Sequence, residues 1–146
     1  MRLFTGMVFC LMAATAQAKV NVEYTGFKDG MATTTTFHDG KLQSVVDVMA
    51  TQDTIYTTYY YKDGIDCKPG DTFSDTARYN GQSVAVTGFC TFNDELESTI
   101  LVFRPKTKSG LKYVTGQFRT SKLVTIELLG WFTGIKTDGF NDTWGL

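Results

Sequence analysis

Two-residue turn motifs recur along this chain and limit what it can fold into. Asp-Gly occurs at 29–30, 39–40, 63–64 and 138–139, and Asn-Gly occurs at 80–81. These dipeptides suit type I′ hairpin turns, in which both central residues have positive φ. The segments between them are rich in Val, Ile, Thr, Tyr and Phe, which favour strands. The pattern predicts an all-β fold of antiparallel strands joined by short loops.

The same criteria predict about nine strands and no helix, because no segment of about twelve residues has apolar positions at helical spacing. Eight to nine such strands fit either a small up-and-down barrel or a two-sheet sandwich, and we expect a single antiparallel domain of one kind or the other. The segment 122–132 is apolar on both faces, which predicts a central or covered strand with Trp131 in the core. The predicted strands lie near 20–26, 31–37, 41–49, 54–61, 72–79, 82–92, 97–104, 111–119 and 122–132.

The first eighteen residues have the pattern of a secretory signal peptide. Arg2 gives a positive start, an apolar run extends over 3–16, and Ala16-Gln17-Ala18 is the small-residue motif that signal peptidases cleave. The apolar run is shorter than the roughly 20 residues that cross a bilayer as a helix. We therefore predict cleavage after Ala18 and an exported domain over 19–146, secreted or periplasmic.

Two cysteines remain after this cleavage, Cys67 and Cys90, because Cys10 lies in the signal peptide. Paired cysteines in exported chains form disulfides. Cys90 shares one strand face with Val84, Val86 and Phe92, which suits a bridge beside the core. Closing a loop of about 23 residues stabilises a fold by roughly 3 kcal/mol. We predict one disulfide rather than a metal or redox site, since no C-x-x-C motif and no second histidine are present.

Composition and motifs restrict the function classes. Removal of Arg2 with the signal peptide leaves 13 basic and 15 acidic residues, a net charge of −2 with neutral histidine. This balance argues against nucleic-acid binding. The only histidine, His38, lies in a predicted turn that offers little shelter for catalysis. No nucleophile–base spacing, phosphate-binding glycine motif or metal-ligand cluster appears, so we expect no cofactor, and the domain has no segment suited to a transmembrane helix.

Three features are candidates for contact with a ligand or partner. The tyrosines Tyr56, Tyr59, Tyr60 and Tyr61 form the densest aromatic cluster, and alternation sends Tyr59 and Tyr61 to one face and the other two to the opposite face. Such side chains bind flat ligands, sugar rings or proteins when exposed, and pack across strands when buried. The sequence leaves both roles open.

The second candidate is a basic group and the third is a tryptophan near the C-terminus. Arg104, Lys106, Lys108 and Lys112 could meet an anionic glycan, a lipid headgroup or an acidic partner. An acidic hairpin at 94–97 is close in sequence and would neutralise them if it were close in space. Trp144 either closes one end of the fold, which we favour, or contacts a partner.

The leading interpretation is an exported non-enzymatic binding protein for a small apolar ligand, a glycan or another protein. The alternative is a protein-directed inhibitor, immunity protein or secreted effector that acts through one exposed β-surface. A small hydrolase is a third interpretation, because carboxylate pairs that cleave glycosides meet only in space. An outer-membrane barrel fits least well, since segment 122–132 does not alternate. An apolar pocket favours the first interpretation, and a filled interior with a flat aromatic patch favours the second.

Overall fold

The computed structural model describes residues 17–144. The predicted signal peptide therefore lies outside the described residues, except for Gln17 and Ala18. The described part forms nine strands and two helices: β1 (Val20–Tyr24), β2 (Met31–His38), β3 (Lys41–Ala50), β4 (Ile55–Tyr61), β5 (Thr72–Tyr79), β6 (Gln82–Asn93), β7 (Ser98–Pro105), α1 (Lys108–Thr120), β8 (Leu123–Leu128), β9 (Trp131–Lys136) and α2 (Phe140–Thr143).

All nine strands join one antiparallel sheet that rolls into a nearly closed barrel, in the order β1-β2-β3-β4-β7-β6-β5-β8-β9. The order is not a plain meander, because β7 returns to pair with β4, and β5 pairs with β8. At the seam, where β9 approaches β2, the Thr34 hydroxyl donates to the Gly134 carbonyl at 2.5 Å. The all-β prediction is confirmed, and the barrel is the alternative that this chain adopts.

Alternating side chains fill the barrel interior, as the period of a strand requires. On β3, Val46 and Val48 are buried while the residues between and beside them are not. On β6, Val84, Val86 and Cys90 are buried in the same way. The predicted inward face of β6 is therefore confirmed at these three residues, whereas Phe92, predicted on the same face, is 51% exposed near the end of the strand.

An aromatic cluster seals one end of the barrel. Phe27, which precedes β2, meets Phe118 of α1 and Phe140 of α2, and the three ring centroids lie 5.1 to 5.7 Å apart. Trp144 stacks on Phe140 at 6.0 Å. All three phenylalanines are buried. We call these four residues the aromatic plug.

The prediction of a strand over 111–119 and of no helix is wrong, because this segment belongs to α1. Leu111, Val114 and Phe118 recur at three- and four-residue spacing and pack one helix face on the core. The Thr107 hydroxyl begins the helix by accepting a hydrogen bond from the Gly110 N–H at 3.0 Å. Burial of this apolar face prevails over the β-favouring residues in the segment.

Two-residue turns form at three of the five predicted positions. Asp29-Gly30, Asp39-Gly40 and Asn80-Gly81 have positive φ at both residues, as a type I′ turn requires. At 63–64 and 138–139 only the glycine has positive φ, and longer connections replace the hairpin turn.

A further turn of this kind divides the segment that was predicted as one strand over 122–132. Leu129 and Gly130 have φ of 52° and 79°, and the chain reverses there from β8 into β9. The prediction of one long strand is therefore wrong. Leu128 and Trp131 become cross-strand partners on the inner face.

Candidate functional site

The barrel end opposite the aromatic plug, which we call the mouth, is bordered by the loop between β4 and β5. The disulfide between Cys67 and Cys90 ties this loop to β6, with Cα atoms 6.3 Å apart, an ordinary spacing for a bridge. The Gly70 N–H donates to the Cys90 carbonyl at 2.8 Å, and the Cys90 N–H donates to the Asp71 carbonyl at 2.9 Å. The loop is therefore fixed along β6, and the predicted disulfide is confirmed.

A cleft of about 720 Å³ opens at the mouth, bordered by the disulfide loop and by the turn between β8 and β9. Its volume lies in the range of small-molecule sites. Leu101 and Cys90 form a buried base, while Leu129 is 57% exposed at the edge. We call this feature the mouth cleft. Its apolar lining is Ile65, Phe73, Cys90, Leu101, Leu129 and Trp131, together with Cys67 of the disulfide.

An aromatic stack separates the mouth cleft from the barrel interior. The rings of Tyr59 and Trp131 lie 4.3 Å apart between centroids and within 5° of parallel. Burial raises the pKa of Tyr59, and a hydrogen bond with the Ser44 side chain acts in the opposite direction. Trp131 borders both the cleft and the interior, so one ring face is already covered and the rest of the side chain is available to a ligand.

The barrel interior beneath this stack is filled. The space bounded by Val46, Phe103 and Ile126 is about 10 Å³, which is at the lower limit for a single water molecule. A ligand of several carbon atoms therefore fits at the mouth and does not fit inside the barrel.

The mouth cleft has an acidic rim. Of the described residues that line it, Asp66 and Asp71 are the charged ones, and both are exposed. The Lys68 N–H donates to Asp71 Oδ2 at 2.9 Å, which fixes that carboxylate in the turn. Two carboxylates without a lining cation attract positive groups and repel anions.

The four candidate tyrosines of β4 divide between two faces, as their alternation predicted. Tyr59 pairs with Leu101 on the inner face, at the mouth, and alternation places Tyr61 on the same face. Tyr56 and Tyr60 belong to the outer face. All four are partly buried, so the barrel does not bring them together as one site.

The outer face carries a second, smaller groove. Its volume is about 360 Å³, and Tyr56 and Arg104 both line it beside Phe89 and Val102. Phe89 is 43% exposed. Sequence reasoning singled out Tyr56 and Arg104 separately, and pairing between β4, β7 and β6 brings them to one groove.

The basic candidates lie at the plugged end of the barrel. Arg104 is near the end of β7, Lys106 follows it, and Lys108 and Lys112 are one turn apart on α1; all four are exposed. The acidic turn at 94–97 precedes β7 and lies at the mouth, about 23 Å away along the strand. The acids therefore do not neutralise this basic surface.

Trp144 belongs to the aromatic plug, on the side of the barrel away from the mouth cleft. It is partly buried and stacks on Phe140, in agreement with the favoured role of closing one end. A contact between Trp144 and a partner stays a prediction.

Sequence reasoning missed four of the residues that define the cleft: Phe73, Leu101, Leu129 and Trp131. Trp131 was predicted in the core, but it is half-buried at the mouth. Gly130 was the available signal, because a glycine within a strand-like segment suggests an interruption. A break there would have placed Trp131 at the start of a strand, beside a loop.

Comparison with protein-family models, curated proteins and solved structures finds no match for this chain. Among the described residues, no helix combines the length and the apolar character that would let it cross a membrane. In the same part of the chain, no three His, Cys, Asp or Glu side chains cluster as metal ligands.

Proposed function

We propose that this protein is an exported, non-enzymatic binding protein that holds a small apolar ligand in the mouth cleft. The observation that carries the proposal is a 720 Å³ cleft walled by Trp131 and Phe73 above a filled barrel. Apolar pockets with a few convergent polar groups are typical of ligand sites. The disulfide fits a non-cytoplasmic compartment, and secretion or periplasmic residence forms part of the proposal.

The lining also defines the charge of the preferred ligand. Asp66 and Asp71 place negative charge at the rim, and the disulfide loop holds both close to the apolar wall. A ligand with an apolar body and a cationic or hydrogen-bond-donating head satisfies both parts of the cleft. An anionic amphiphile of the same length meets repulsion instead.

A pair of matched probes tests this proposal. Octyltrimethylammonium and octyl sulfate share a chain length and differ in headgroup charge. Below their micelle concentrations, we expect the cation to bind about tenfold more tightly, because the two exposed rim carboxylates together contribute roughly 1.4 kcal/mol to the difference. Trp131 fluorescence reports binding in a Trp144→Phe variant, in which Trp131 is the remaining tryptophan.

Two variants serve as test and control. Asp66→Asn removes a rim charge and is expected to reduce the preference for the cation about threefold. Asp94→Asn makes the same charge change in the turn between β6 and β7, outside the cleft lining, and is expected to leave the preference unchanged. If the protein with both rim carboxylates binds the two probes equally, the proposed ligand class is contradicted. If it binds neither probe, the proposed site is contradicted.

A second candidate function is recognition of a protein through the outer face. The groove of Tyr56, Phe89, Val102 and Arg104 favours it, because aromatic residues and arginine are enriched at interface centres. Native mass spectrometry of the protein from its own source separates the two functions. A retained mass of a few hundred daltons supports the small ligand, and an additional chain of different mass supports a protein partner.

A further inference from the structure

β1 is an edge strand whose side chains are all exposed. Among the described strands it pairs with β2 alone. Val20 is 61% exposed, and Val22 and Tyr24 are each 38% exposed. An unpaired edge strand with exposed apolar side chains is a template for another strand.

The hydrogen-bond pattern identifies which backbone groups point to the free edge. The Asp39 N–H donates to the Lys19 carbonyl, and the Thr25 N–H donates to the Thr33 carbonyl, each at 2.9 Å. Bonded pairs alternate along an antiparallel ladder, so odd-numbered residues of β1 direct their backbone groups to β2. The N–H and C=O groups of Val20, Val22 and Tyr24 therefore point away from the barrel.

The charges of β1 are self-complementary in one antiparallel register. When two copies pair with Asn21 at the centre, Lys19 of each copy lies opposite Glu23 of the other. Val20 then lies opposite Val22 and exchanges backbone hydrogen bonds with it. This register therefore uses the even-numbered residues, whose N–H and C=O groups point to the free edge. The two Lys–Glu pairs occupy non-hydrogen-bonded positions, where side chains approach most closely. A shift of the register by two residues removes both ion pairs.

We propose that the free edge of β1 binds a second copy of this chain, strand to strand, in the register centred on Asn21. The mouth half of β1 is already fixed, because the Lys19 N–H donates to the Asp39 carboxylate at 2.9 Å. At the other end, the Lys136 ammonium group lies over the Tyr24 ring, 5.1 Å from its centroid. Because Tyr24 is already engaged by Lys136, the pairing centres on the half of β1 that is nearer the mouth. It joins the sheets of two barrels into one continuous sheet. A pair of five-residue strands is a small interface, so the dimer is weak.

A charge-exchange experiment tests this proposal on the exported chain. Lys19→Glu places Glu opposite Glu at both pairs, and Glu23→Lys places Lys opposite Lys. By sedimentation over concentrations up to about 1 mM, we expect each variant to self-associate at least tenfold more weakly than the unaltered chain. In an equimolar mixture both Lys–Glu pairs form again between unlike chains, so the dimer returns.

Two further variants separate the edge from a general charge effect. Lys62→Glu makes the same charge change as Lys19→Glu, in the turn after β4, and is expected to leave self-association unchanged. Val22→Pro removes an N–H that points away from β2, so it abolishes the dimer while the barrel still folds.

Three results would overturn the proposal. The first is an unaltered chain that stays monomeric at the highest concentration. The second is a pair of single variants that dimerise as the unaltered chain does. The third is a mixture that fails to restore the dimer. Because β1 does not line the mouth cleft, each of these results leaves the ligand proposal standing.

Discussion

At the scale of single residues, Leu129 combines a costly backbone conformation with a place in the mouth cleft. Its φ of 52° lies in the left-handed region, where a side chain other than Gly, Asn or Asp costs roughly 1 kcal/mol or more. It is exposed, so burial does not compensate for this cost. Such strain is found at functional sites, where another requirement selects the residue. Contact of the leucine side chain with a ligand is such a requirement.

One substitution of Leu129 should have opposite effects on stability and on binding. Leu129→Asn creates an Asn-Gly turn and should raise the free energy of unfolding by about 0.5–1 kcal/mol, measured by urea denaturation. The same change should weaken octyltrimethylammonium binding. Leu123→Asn is the control, since Leu123 is also an exposed leucine but has ordinary strand geometry; it should not stabilise. A destabilised Leu129→Asn protein would contradict the account of this turn.

Tyr79 is one of two tyrosines whose raised pKa makes stability depend on alkaline pH. It is fully buried within the barrel core, and burial raises its pKa above the ordinary value of 10.0. The unfolded chain therefore releases this proton at lower pH than the folded chain does. The contribution to stability is complete below about pH 10 and is lost as the pH rises from there toward the folded-state pKa.

Urea denaturation between pH 8 and pH 11 measures this effect. We expect the free energy of unfolding to decrease above pH 10, with a smaller decrease in Tyr79→Phe, which has no proton to lose. Burial raises the pKa of Tyr59 as well, so some dependence of stability on pH remains in the Tyr79→Phe variant. An identical pH dependence with and without the Tyr79 hydroxyl would refute this assignment.

At the scale of elements, the disulfide loop forms one wall of the mouth cleft. The Cys67–Cys90 bond joins residues separated by 23 positions, and backbone hydrogen bonds continue the attachment at Gly70 and Asp71. The bond therefore stabilises the fold and holds the rim in place.

Removal of the bond should affect stability and binding together. In the Cys67→Ser, Cys90→Ser double variant we expect a loss of about 3 kcal/mol in unfolding free energy and a clearly lower Tm. Octyltrimethylammonium binding should also fall, because the loop is released from β6. Differential scanning calorimetry and a fluorescence titration measure the two effects. An unchanged Tm would mean that the bridge contributes nothing to the fold.

The elements also show how far the sequence alone predicts this fold. Asp39-Gly40 and Asn80-Gly81 identify their turns because their residues tolerate positive φ, a local property. The same rule does not identify the Leu129-Gly130 turn, because leucine rarely adopts positive φ. In α1, Tyr113, Val114 and Thr115 favour a strand locally, and the helix forms because its apolar face packs against the barrel core. The strand propensity of individual residues does not predict that packing.

At the scale of the whole molecule, the barrel separates two ends with different roles. The aromatic plug and the basic side chains of α1 lie at one end, while the cleft and its acidic rim lie at the other. Residues of the cleft come from four separate parts of the chain, near 65–73, 90, 101 and 129–131. The strand order, in which β7, β6 and β5 lie between β4 and β8, brings them together. A turn pattern does not encode that order, which is why the sequence did not predict this site.

The most direct test of the central claim is an NMR titration of isotope-labelled protein, residues 19–146, with octyltrimethylammonium. The two tryptophan indole N–H signals report the two ends of the barrel, Trp131 at the mouth and Trp144 in the plug. We predict a saturable shift of the Trp131 signal, together with amide shifts around Phe73 and Leu129, while the Trp144 signal stays in place. A titration that leaves Trp131 unmoved, or that moves Trp144 instead, would contradict the assignment of the mouth cleft as the binding site.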